Sequence, residues 1–76
     1  TAAGYLIDQA GLKGTVKGGA EISSKHANFF VNNGDATSDD LVSLIRIARK
    51  KVLKIFGIHL DLEIKTIGFP EGTFEA

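Results

Sequence analysis

Cysteine, methionine and tryptophan are absent from this chain, and proline occurs once. Without Cys there is no disulfide framework and no thiolate nucleophile, a pattern that suits a reducing compartment. Charge of one sign is also missing, because nine Lys and Arg face nine Asp and Glu. That balance removes the molecule-wide positive field on which binders of nucleic acid or anionic membrane rely, so a charged partner has to be met locally. No apolar run approaches the roughly 18 residues of a membrane span, and no basic-then-apolar signal segment opens the sequence. A soluble, cytoplasmic protein is the expectation, with neither membrane nor nucleic acid as partner. His26 and His59 stand far apart with no HxxxH spacing, so no metal site is expected. The chain opens at Thr1 and lacks Met, which reads as a processed product or a piece of something longer.

What is present suits one small globular domain over residues 1–76. Hydrophobic side chains at 43% and charged ones at 24% are the proportions of a folding chain. A chain this short leaves roughly 40% of its unfolded surface exposed, so the core is modest. Residues 3–10, AGYLIDQA, place Ala3, Leu6, Ile7 and Ala10 at helical spacing, with Gly11 where a left-handed stop is wanted. Residues 15–22 start β-like at Thr15 and Val16, pass Gly18 and Gly19, and read as one broken or bulged strand. NFFVNN follows as a second strand, ended by the turn-formers of NGDATS.

The strongest signal is TSDDLVSLIRIARKKVLKIFG. Thr37 and Asp40 imitate a capping box, and Leu41, Leu44, Ile45, Ala48, Val52, Ile55 and Phe56 form one helical stripe that Gly57 closes. Residues 58–65, IHLDLEIK, alternate: Ile58, Leu60, Leu62 and Ile64 toward a core, His59, Asp61, Glu63 and Lys65 away from it. The tail, with Pro70 and two further Gly, reads as irregular. The order helix, strand, strand, helix, strand makes a two-layer α+β domain, a small and mostly antiparallel sheet covered by one long and one short helix.

Few residues carry chemistry. Ser23 and Ser24 precede a His, but neighbours in a strand point to opposite faces, so a triad is not expected there. GLKG, residues 11–14, has the GxxG form of a nucleic-acid backbone clamp, and RIARKKVLK offers a basic helix face. A helix cap followed by a turn is the favoured reading of GLKG, since a KH clamp joins two helices. Lys25 and His26, with Lys13 in the turn, gather positive charge and donors suited to a phosphate-bearing ligand. Read from residues alone, Glu63 is a solvated strand carboxylate.

Taken together, AGYLIDQAGLKG, GGAEISSKHANFFVN and KVLKIFGIHLDLEIKTIG resemble, across residues 2–68, one known family. It is the C-terminal, substrate-binding domain of the UDP-N-acetylenolpyruvoylglucosamine reductases, flavoenzymes of bacterial cell-wall precursor synthesis. The resemblance implies that earlier domains hold FAD, that NADPH reduces it, and that hydride passes to UDP-N-acetylglucosamine enolpyruvate, giving UDP-N-acetylmuramate. It places the family's acid on Glu63, in the stretch EIKTIG, and the contacts to the uridine diphosphate on Lys13 and His26, with Lys25 beside them. Leu62 stands where members commonly carry Pro. The family's proton-donating Ser, its Arg partner and its flavin-binding domains lie upstream of this stretch. Alone, the chain is therefore expected to be inactive, monomeric and without a bound cofactor. From the residues themselves a stand-alone nucleotide- or RNA-binding module stays open.

Overall fold

The computed structural model describes residues 2–60 and 65–69. Its elements are α1 (Ala2–Gln9), β1 (Val16–Lys17), β2 (Ala20–Ile22), β3 (Phe29–Asn32), α2 (Ser38–Phe56) and β4 (Lys65–Ile67). The strands form a single sheet in the order β1-β2-β3-β4. β1, β2 and β3 pair antiparallel, and β4 pairs parallel to β3. This is the two-layer, mostly antiparallel α+β arrangement that the sequence pattern predicts.

α2 forms where its caps and stripe dictate. Thr37 Oγ1 accepts from the Asp40 amide at 3.1 Å while the Asp40 carboxylate accepts from the Thr37 amide at 3.0 Å, so two amides without helical partners are satisfied reciprocally. At the other end the Gly57 amide donates to the Leu53 carbonyl at 2.8 Å. Between these caps Leu41, Leu44, Ile45, Ala48 and Val52 are buried. They join Ala20, Ile22 and Phe30 from the sheet and Ala3 and Ile7 from α1 in one core.

Three local expectations change. The segment read as one bulged strand is a hairpin: Lys17 lies opposite Ala20, so Gly18 and Gly19 are a two-residue turn. The alternating stretch that begins at Ile58 does not start as a strand. Ile58 to Leu60 is irregular, Ile58 is 45% exposed rather than core-facing, Leu60 is buried as expected, and the described strand is Lys65–Ile67. Residues 61–64 lie outside the described residues. Finally, Ile55 and Phe56 continue the stripe of α2 yet are 48% and 37% exposed. A 19-residue helix runs about 28 Å. The four residues of β3 reach only about 13 Å, so the last turns of α2 outrun the sheet.

Candidate ligand-binding end of the sheet

Register decides which loops become neighbours. Val16 lies opposite Glu21, Ile22 opposite Phe30, and Phe29 opposite Lys65. The turn before β1, the loop between β2 and β3, and the entry to β4 therefore meet at one end of the sheet. Hydrogen bonds tie them together: Gly14 N donates to Ile22 O at 2.8 Å, Ser23 N to Phe29 O at 2.9 Å, and Lys65 N to Asn28 O at 2.7 Å.

The GLKG turn has a local cause. α1 ends as Gly11 N donates to Asp8 O at 2.9 Å and Leu12 N to Ile7 O at 3.2 Å, the paired bonds of a Schellman stop. Thr15 N then donates to Leu12 O at 3.0 Å, with Gly14 at φ +81° in the position where a type II turn demands a left-handed residue. The Gly11, Leu12 and Gly14 amides are bonded within the chain, and the turn joins a helix to a strand, so GLKG is a cap and a turn. Its product is the placement of Lys13, whose exposed ammonium sits 3.5 Å from Asp8 Oδ2. An exposed pair of this kind contributes about 0–1 kcal/mol, which leaves Lys13 available to a stronger anion.

The loop carrying Lys25 and His26 is organised by Ser23. Ser23 Oγ accepts from both the Lys25 and the His26 amides at 3.2 Å, a side-chain turn that folds the loop over its own start. Phe29 N returns to His26 O at 2.9 Å, and the His26 ring leans on the Phe29 ring with centroids 5.3 Å apart. Both Lys25 and His26 are exposed, and Ala27 anchors the loop in the core. Asn32, the last residue of β3, is structural: Oδ1 accepts from Gly34 and Ala36, and Nδ2 donates to Gly68 O at 3.1 Å.

Lys13, Lys25 and His26 are thus brought to one end of the sheet, on segments bonded to one another through Ile22, Ser23 and Phe29. Glu63 lies outside the described residues. Sequence spacing had no signal for Ser23 or Phe29, because their roles depend on how the loop closes. A separate cleft of about 430 Å³ opens beside the second half of α2, lined by Arg49, Lys50, Leu53, His59 and Leu60. Among the described residues no group of three or more metal-ligating side chains is gathered. No helix among them is long and apolar enough to cross a membrane.

Comparison with known proteins gives this end a context. A family model described as the C-terminal domain of UDP-N-acetylenolpyruvoylglucosamine reductase matches residues 1–67. The UDP-N-acetylenolpyruvoylglucosamine reductase of Chloroherpeton thalassium is 59% identical over 69 residues, covering 91% of this chain and 22% of that protein. That of Chlamydia felis is 60% identical over 67 residues, covering 88% and 22%, and that of Anoxybacillus flavithermus 48% identical over 66 residues, covering 87% and 22%. The chain thus spans about a fifth of the length of the curated relatives it matches. With the family model matching most of the chain and relatives this similar, the chain belongs to the family of UDP-N-acetylenolpyruvoylglucosamine reductase C-terminal domains.

Proposed function

We propose that this chain is the substrate-gripping wall of a reductase that converts UDP-N-acetylglucosamine enolpyruvate to UDP-N-acetylmuramate in peptidoglycan precursor synthesis. The observation that carries this is the gathering of Lys13, Lys25 and His26 at one end of the sheet in a chain of this family. FAD, reduced by NADPH, would supply the hydride from the remainder of the polypeptide. The glycine-bounded turn of this chain is a poor cradle for a pyrophosphate, because it spends the Gly14 amide on Ile22 O and the Thr15 amide on Leu12 O.

What the chain contributes is binding and orientation. Lys13 gives a point charge to the diphosphate, Lys25 a second, and His26 a ring donor held against Phe29. Glu63 is assigned to the reacting end. As the vinyl carbon is reduced, charge gathers on the enolpyruvyl carboxylate. A carboxyl group that holds or shares a proton there stabilises the enol form.

Uridine diphosphate titrated into the isotope-labelled chain tests the binding role. Amide shifts are expected at Lys13, Gly14, Lys25, His26 and Asn28. Lys13→Ala and His26→Ala should each weaken affinity by about tenfold, the loss of one charge-assisted hydrogen bond. Shifts confined to Arg46, Lys50 and Lys51, or RNA binding that weakens steeply with salt, would instead support the nucleic-acid module.

A further inference from the structure

The charges of this chain balance only in sum. Residues 41–60 hold Arg46, Arg49, Lys50, Lys51 and Lys54, five of the nine bases, and none of the nine acids. Only Lys54 stands in the last turn of α2, where the helix dipole favours a cation. Arg46, Lys50 and Lys54 are also spaced four residues apart, so like charges line one side of the helix and repel. No acid stands three or four residues from any of the five. Neither the dipole nor pairing along the helix accounts for this density of positive charge.

Part of that charge surrounds a hollow. The cleft of about 430 Å³ has Arg49, Lys50 and Leu53 on the helix side, with His59 and Leu60 on the segment that follows α2. Its volume lies within the usual range of small-molecule sites. Arg49 is half-buried and Leu60 is part of the core, so the fold holds one cation and one apolar side, while Lys50 and His59 are exposed. The chemistry of this lining is one-sided. Arg and Lys side chains only donate and imidazole adds a ring N–H, whereas no carboxylate, amide or hydroxyl side chain is there to accept. Leu53 and Leu60 make no side-chain hydrogen bond at all. Such a lining suits an anionic group that only accepts, joined to an apolar body. The neighbouring surface around Ile47 is different, since Lys50, Lys51 and Lys54 border it and its lining comes from α2 alone.

We propose that this cleft is a second ligand site, for a small phosphate monoester with a compact apolar or aromatic body. The Arg49 guanidinium fork and the Lys50 ammonium take the phosphate oxygens, His59 donates from the facing segment, and the body rests on Leu53 and Leu60. The site needs nothing from the reductase reading, because none of its lining residues belongs to the turn and loop that carry Lys13, Lys25 and His26.

Phenyl phosphate titrated into the isotope-labelled chain at physiological salt is the test, followed at backbone amides, the Arg49 Nε–H and the leucine methyls. Saturable shifts are expected at Arg49, Lys50, Leu53, His59 and Leu60. Inorganic phosphate should bind about tenfold more weakly, because it leaves the apolar side unused. Lys50→Gln changes an exposed residue and should weaken phenyl phosphate about tenfold, and Arg49→Gln at least as much. Lys51→Gln removes the same charge one residue away, outside the cleft, and should leave affinity within about twofold. Lys13→Ala should leave it unchanged. Shifts that grow without saturating overturn the proposal, and so do shifts that fall on Lys13, Lys25 and His26 instead, a result that leaves the reductase reading standing. Equal losses from Lys50→Gln and Lys51→Gln also overturn it, because they report the field of the whole helix rather than a site. So does displacement of phenyl phosphate by a single-stranded RNA whose contacts extend to Arg46 and Lys54.

Discussion

Gly19 shows how much a single missing Cβ decides. Its hydrogen atom faces the Ala36 backbone and the Asp35 carboxylate so closely that an added methyl would overlap the Ala36 amide and sit 2.8 Å from its Cα. Backbone cannot step aside as a flexible side chain does, so Gly19→Ala should cost about 1–3 kcal/mol through overpacking. Gly11 has no neighbour within 4 Å of such a methyl, and Gly11→Ala pays only for its left-handed backbone, about 1 kcal/mol. Urea midpoints of the two variants check the order. Next to Gly19, the Asp40 carboxylate accepts from the Thr37 and Gly19 amides, and these bonds hold its pKa below the ordinary 3.8. A depressed acid binds its proton more readily in the unfolded chain, so its contribution is full above the ordinary value and disappears as pH falls through the folded one. Asp40→Asn should therefore lower the melting temperature at neutral pH and flatten its fall below about pH 4. An acid limb unchanged by the substitution would place the titration elsewhere.

Among the elements, the caps and the buried run of α2 were legible and the sheet only in part. Caps and a 3.6-residue stripe are local properties, so Thr37, Asp40 and the buried run from Leu41 to Val52 could be read directly. The cap itself is testable: Thr37→Ala should cost about 1 kcal/mol. For a domain of this size that lowers the melting temperature by about 4–8 °C. Where the stripe meets solvent, at Ile55 and Phe56, is set by the length of the strands it crosses, which periodicity does not carry. The Gly18-Gly19 step was ambiguous for a similar reason. Paired glycines serve a bulge or a hairpin, and only the Lys17 to Ala20 pairing and the contact with Asp40 select the hairpin. Of the candidate site, the residue types were visible in KHAN and GLKG. Their proximity was not, because it depends on the bond from Gly14 to Ile22 and on Ser23 folding the loop.

At the scale of the whole molecule, two apolar surfaces of similar sequence must behave differently. A 76-residue domain has a net stability of roughly 4–11 kcal/mol at the usual value per residue. Phe30 is fully buried between Ile22 and the helices, and Phe30→Ala removes about 3–5 kcal/mol, most of that margin. Its neighbour on the outward face has no such support: Ile67 is already half in water. In the isolated chain Ile67→Ser should shift the urea midpoint hardly at all, within about 0.5 kcal/mol, as for an ordinary surface change. An isolated chain as sensitive to Ile67→Ser as to Phe30→Ala would mean that β4 already belongs to the core.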